Sequence, residues 1–174
     1  RAAELCKRNI DLNMFKANIC NINIANTIRE LKSVSFDHVF MNPPYFKQNS
    51  VKESHILSSH QAKVESMPLS AWISVAKNRC KPNGKITIIQ RVERLPDILK
   101  CLDGYFGQVT VQPISSFKDT SPKSVIVQAT KTSRAAFKLL APKIVPRRDD
   151  ISGKVVYEDE FKKILRYGHP LQLN

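Results

Sequence analysis

In Phe36-Asp37-His38-Val39-Phe40-Met41-Asn42-Pro43-Pro44-Tyr45 a short run of strand-forming residues meets two consecutive prolines. Proline has no N–H to give a ladder and fixes its own φ, so a strand that begins at Phe36 stops at Met41. The apolar character of Val39, Phe40 and Met41 makes this a buried strand, and Asn42 sits at its carboxyl end. In open α/β folds that end is where ligands bind, so residues 42–45 are the first place to look for chemistry.

On the C-terminal side, residues 46–65 show little periodicity and many polar side chains, the pattern of a long surface loop or lid. Pro68 in a first turn, with Leu69, Trp72, Ile73, Ala76 and Cys80 on one face, predicts a helix closed by Lys81-Pro82-Asn83-Gly84. Ile86, Ile88 and Ile89 mark a buried strand over 85–90, and a helix follows over 94–102. Strands near 108–112 and 123–130 end the order in an antiparallel pair.

On the N-terminal side, Ala3, Cys6, Ile10 and Met14 recur at helical spacing and predict a helix over 2–14 that needs a sheet or partner helix. Ile19, Ile22 and Ile24 give an approximate strand pattern over 17–24, and 27–32 suits a short turn of helix. Alternating strands and helices define an α/β protein.

The chain has 174 residues, about one domain's worth, and the mix of 42% hydrophobic and 25% charged residues is that of an ordinary globular protein. No apolar run is long enough to span a bilayer, so no membrane association is expected. Lys plus Arg (28) against Asp plus Glu (15) leaves +13, which favours a polyanionic partner such as nucleic acid. From Lys131 onward basic residues dominate: Lys131, Arg134, Lys138, Lys143, Arg147, Arg148 and Lys154 precede a last helix over 158–166. This sets a basic C-terminal extension, 133–174, apart from a main domain over 1–132, on which it is expected to pack. Cys6, Cys20, Cys80 and Cys101 lie far apart, and neither they nor the four histidines have the spacing of a metal site. With no secretory leader at the start of the sequence, a reduced, cytoplasmic setting is expected.

Asn42-Pro43-Pro44-Tyr45 is expected by chance in a chain this long on the order of one time in a thousand. It suits methylation of an amide-like or aromatic amine, whose delocalised lone pair is a poor nucleophile. The Asn42 side-chain oxygen and the Pro43 carbonyl can accept both amine hydrogens, drawing the nitrogen toward a pyramidal, electron-richer state. Tyr45 can stack on a base, a contact worth roughly 1 to 3 kcal/mol. The methyl donor then needs only in-line placement. A plain strand end explains the two prolines but not the Asn and the aromatic residue that flank them.

With Phe46 added, this run resembles the adenine-specific amino-methyltransferases, and in particular the branch that modifies valine tRNA beside the anticodon. The resemblance extends over Lys81-Pro82-Asn83-Gly84-Lys85-Ile86-Thr87-Ile88-Ile89 and Gln90-Arg91-Val92-Glu93-Arg94-Leu95. It continues in Ser124-Val125-Ile126-Val127, Lys131-Thr132-Ser133-Arg134 and Ile164-Leu165-Arg166-Tyr167-Gly168-His169-Pro170-Leu171, and so covers nearly the whole chain. It implies a Rossmann-like class I methyltransferase fold, S-adenosylmethionine as cofactor, and the exocyclic amine of an adenine in tRNA as substrate. Asn42 and Pro43 would hold the amine and Tyr45 would stack on the base, with Pro44 and Phe46 beside it.

Against the family's pattern, the first strand, its Gly-rich turn and the second strand ending in an acidic residue are not found here. The fold is therefore expected to be incomplete at its N-terminus, lacking two central strands, with an exposed apolar seam and self-association or a complementing N-terminal segment as consequences. Asn21 and Asn23 stand where an acidic residue near the cofactor's adenine is expected, and join Asn42 as candidate cofactor ligands. Arg91, and with it Arg94, follows the strand at 85–90 and could meet phosphate; Lys118 and Lys123 flank a Pro- and Ser-containing loop suited to RNA contact. Two alternatives stay open: a catalytically dead RNA-binding remnant, and a methyltransferase of protein glutamine amides.

Overall fold

The computed structural model describes residues 2–23, 31–45, 67–148, 155–157 and 159–173. The chain divides into two compact units, Arg1–Ser33 and Val34–Asn174.

In the first unit one helix, α1 (Ala2–Leu12), forms over the predicted stretch. It buries none of its residues, and Leu5, Leu12 and Met14 are exposed. The partner surface expected for its apolar positions is not among the described residues of that unit. No strand forms over 17–23. Asn18, Asn21 and Asn23 interrupt the apolar pattern with a residue depleted from strands, and a strand is stable only when paired. The helical turn expected over 27–32 falls largely outside the described residues, as does the loop expected over 46–65.

The second unit is built on a mixed sheet. Strands β1 (Phe36–Met41), β2 (Cys80–Arg91), β3 (Phe106–Ser115) and β4 (Ser124–Lys131) lie in the order β1-β2-β4-β3. β1 is parallel to β2, and β4 runs antiparallel to both β2 and β3. Helices α2 (Leu69–Arg79) and α3 (Leu95–Leu102) carry the chain between them. Leu69, Ile73 and Ala76 of α2 and Ile98 and Leu102 of α3 join Met41, Ile86, Ile88, Val111, Val125, Val127 and Ala129 in one core. Alternation accounts for this face, since Val39 and Met41 are level with Ile86 and Ile88, and these with Ala129 and Val127. The other face carries a polar line: His38 Nε2 is hydrogen-bonded to Thr87 Oγ1 at 2.8 Å, and Gln128 Nε2 donates to the same oxygen at 3.1 Å.

The stretch 81–84 does not separate helix from strand as expected: α2 passes straight into β2 at Cys80, and residues 81–84 loop out within the strand. Phe36 pairs with Cys80 but His38 pairs with Lys85, so these residues bulge out of the ladder, with Asn83 at φ 60°. Lys81 reaches back to Asp37 at 2.9 Å, and this neighbouring ammonium holds the Asp37 carboxyl below its ordinary range.

The stretch 133–174 belongs to the second unit. Strands β5 (Lys138–Leu139) and β6 (Lys143–Ile144) add to the free side of β3, on either side of Pro113. Proline removes the donor that would join them into one ladder. The buried Gln112 amide bridges the gap, donating to Pro113 O at 3.0 Å and Ala141 O at 2.8 Å. Beyond it β7 (Pro146–Arg148) pairs with β8 (Val155–Tyr157), and α4 (Asp159–Tyr167) buries Phe161. Lys143 ties β6 to α4 through Glu160 at 2.6 Å.

Among the described residues β1 pairs on one side only, so it is an edge strand and not the buried strand expected: of its residues only Met41 is buried, and Phe40 is 68% exposed. At the bulge, a Cβ on Gly84 would meet Asp37 O and Lys81 O at 2.9 Å and Cys80 Sγ at 2.8 Å. Gly84→Ala is therefore expected to push β1 from β2 and lower stability by about 1–3 kcal/mol in urea denaturation. Thiol titration with an aromatic disulfide should show Cys6 and Cys20 reacting first, because burial pushes the Cys80 and Cys101 thiols up.

Candidate functional site

β1 ends where the sequence requires, and the turn after it is held from the neighbouring strand. Asn42 is exposed, Pro43 is fully buried, and Pro44 and Tyr45 are half-buried. Because Met41 is level with Ile88, the same register carried two residues further sets Gln90 beside Pro43. Gln90 is 1% exposed, and a buried amide must find partners. Its Nε2 donates to Pro43 O at 3.3 Å and to Pro44 O at 3.1 Å, while its Oε1 accepts from Arg91 N at 2.9 Å.

Gln90 is the residue that sequence reasoning missed as part of the site. The signal was present in the length of the two strands: once 36–41 and 85–90 are taken as parallel neighbours, the residue at the end of the second faces the prolines that end the first.

Arg91 follows at the same edge. Its guanidinium grips Glu93 through Nη2 to Oε1 at 3.0 Å and Nε to Oε2 at 3.2 Å. The pair is mutual: Arg91 draws the Glu93 carboxyl below its ordinary value, and Glu93 raises Arg91. Arg94 does not face outward for phosphate. It is 7% exposed and its Nε donates to Asp97 at 3.0 Å in the first turn of α3.

Val92 N donates to Lys123 O at 3.2 Å, and Arg91 is level with Ser124, so Lys123 is brought beside Arg91. Lys118 stands exposed in the loop leaving β3, a tight turn in which Thr120 Oγ1 donates to Phe117 O at 2.6 Å. β3 runs parallel to β2 by way of β4, so this loop leaves the sheet at the edge where β1 and β2 end. The structure thus gathers Asn42, Pro43, Pro44, Tyr45, Arg91, Lys118 and Lys123 at one edge of the sheet. Asn21 and Asn23 are exposed in the other unit, and Phe46 lies outside the described residues. Among the described residues no group of His, Cys, Asp or Glu could hold a metal, and no helix is long and apolar enough to cross a membrane.

No family model and no curated protein matches the chain. Solved structures do. The protein Atu636 of Agrobacterium tumefaciens, described as a predicted O-methyltransferase, matches with a TM-score of 0.64 and 21% identity over 93% of this chain and 71% of its own. M1.HpyAVI in complex with SAM matches at 0.41 and 13% identity over 72% of this chain and 66% of its own. The cytosine-N4-specific PvuII DNA methyltransferase matches at 0.33 and 13% identity over 82% of this chain and 62% of its own. The chain thus spans just under two thirds of the last two. The first likeness assigns the fold: a Rossmann-like class I methyltransferase fold, as the sequence resemblance implies.

The Arg91–Glu93 pair gives a direct check of the site's electrostatics. Glu93 titrates below the ordinary carboxylate range in the folded chain, so the pair's contribution to stability is present above that range. It is lost as pH falls through the lowered midpoint. In a carboxyl-carbon NMR titration, Arg91→Ala should return the Glu93 midpoint upward, and 1 M salt should produce part of the same shift.

Proposed function

We propose that this chain carries the substrate half of an S-adenosylmethionine-dependent methyltransferase that acts on the exocyclic amine of an adenine in tRNA. The observation that carries the proposal is the Asn42-Pro43-Pro44-Tyr45 turn, set at the carboxyl end of β1 with its two proline carbonyls held by a buried amide.

In this reading Asn42 Oδ1 and Pro43 O accept the two hydrogens of the amine. A carbonyl oxygen has two lone pairs, so the bond from Gln90 leaves Pro43 O able to accept one hydrogen more. Tyr45, half-buried beside Pro44, stacks on the base, and Phe46 is assigned to the same contact. Lys118 and Lys123, exposed on the same sheet edge, are assigned to the phosphates that flank a splayed-out base, with Arg91 beside them held by Glu93.

For the cofactor, the described residues offer a partial fit. Asn42 is an exposed amide at the strand end that can both donate and accept. Glu93, the carboxylate nearest in sequence to the end of β2, is taken by Arg91. S-adenosylmethionine supplies a methyl group on a sulfonium.

The test is transfer of labelled methyl from S-adenosylmethionine to unmodified tRNA. Asn42→Ala should lower kcat by about 10²–10³-fold, the loss typical of removing one positioned hydrogen-bonding group. Tyr45→Ala should act on the RNA step, and Lys118→Ala with Lys123→Ala should flatten the salt dependence of RNA binding. Label appearing in a protein glutamine instead would favour the amide alternative. RNA binding with no transfer and no cofactor binding would favour the remnant.

A further inference from the structure

We infer that Gln90 is a positioning residue of the candidate site: its side-chain amide clamps the Pro43 and Pro44 carbonyls and thereby fixes where Asn42 and Tyr45 stand. The functional part of this inference rests on the amine-methylation reading above; the clamp itself does not.

The need for a clamp follows from the sequence. Residues 43 and 44 contribute two carbonyls and no N–H, so the middle of the turn can be tied to a neighbour only by accepting. Pro43 is fully buried, away from solvent donors, and an unsatisfied carbonyl there carries a desolvation cost. The Gln90 NH2 group has two hydrogens and reaches two carbonyls, at 3.3 and 3.1 Å.

Its orientation is settled by the third bond. Arg91 N donates to Gln90 Oε1 at 2.9 Å, so a flipped amide would set an N–H against an N–H and an oxygen against two carbonyl oxygens. No other side chain of similar size does the same. Asn is one methylene shorter, Met has no donor, and Glu when ionised has only acceptors. Gln90 thus acts on the target amine through Pro43 and Asn42.

The experiment compares the full chain with its Gln90→Met variant, which keeps side-chain length and loses both donors. With proline carbonyls labelled in carbon-13, the Pro43 and Pro44 resonances should move upfield while those of the other prolines stay in place. The Tyr45 ring should gain fast motion in carbon relaxation, with Ile86–Ile89 amide exchange unchanged. In the transfer assay kcat should fall by about 10²-fold, the loss expected from a misplacement of about 1 Å, with KM for the cofactor unchanged.

Unmoved carbonyl resonances, or a shift accompanied by wild-type kcat, would overturn the inference. If the wild-type chain itself transfers no methyl, the methyltransferase reading fails, and the carbonyl and relaxation measurements still decide whether Gln90 holds the turn. If Gln90→Met does not fold, Gln90→Glu replaces it. Protonating that carboxyl restores one donor, so Tyr45 order should recover as pH is lowered, which a packing role alone would not produce.

Discussion

The pairing of β1 with β2 is the constraint on which the rest of this unit depends. Val39, Phe40 and Met41 stand level with Ile86, Thr87 and Ile88, and that register settles three matters together. It sends Val39 and Met41 to the same face as Ile86 and Ile88, where α2 and α3 cover them. It leaves His38 and Phe40 on the opposite face with Thr87. It also brings Gln90 level with the prolines. A slip by one residue would turn every β1 side chain to the wrong face and move the amide away from the carbonyls it holds. The bulge at 81–84 lets a helix that ends at Arg79 feed a strand already paired at Cys80, and its buried Gly84 leaves room for Asp37 of β1 to approach.

Much of this unit was legible in the sequence because its signals are local. Two prolines end β1, Pro68 opens α2, and short Ile- and Val-rich runs mark β2 and β4; the structure reproduces these elements, with β2 starting five residues earlier, at Cys80. Lys81-Pro82-Asn83-Gly84 has the composition of a turn and does loop out, with Asn83 left-handed, but Lys81 and Gly84 lie against Asp37 of another strand, so the loop falls inside β2 and not before it. The pattern at 17–23 failed in the reverse direction, since alternation describes a strand only when something pairs with it. Gln90 escaped notice because its role depends on the register of two strands some fifty positions apart in sequence, and no local pattern carries that.

Net charge is a coarse guide to which basic residues are available. Several of the basic residues that make the C-terminal stretch look like a nucleic-acid surface are engaged by other groups of the chain. Lys131 donates to Lys77 O and Cys80 O, both at 2.7 Å, and so closes the C-terminal end of α2. Lys143 is bound to Glu160 and Lys162 to Asp159. On the other flank, Lys77 lies over the Tyr105 ring at 3.7 Å, an attraction of its charge to the aromatic face. Lys118 and Lys123, by contrast, are exposed where the chain leaves the sheet at the edge where β1 ends, a distinction that the total of +13 does not carry.

The turn also shows why a proline pair brings a requirement with it. Proline stiffens the backbone that carries Asn42 and Tyr45, and a stiff turn holds its acceptors at low entropic cost once it is placed. Yet the same residues remove the N–H groups by which a backbone normally attaches itself to a neighbouring strand. Rigidity within the turn and attachment to the sheet are therefore separate problems, and the two prolines solve only the first. A side chain with two donors, buried and fixed by a bond to its own backbone neighbour, solves the second, and β2 supplies it at the one position level with Pro43. Geometry at the end of β1 is thus set by two strands at once, which is why residues 42–45 alone do not define the site.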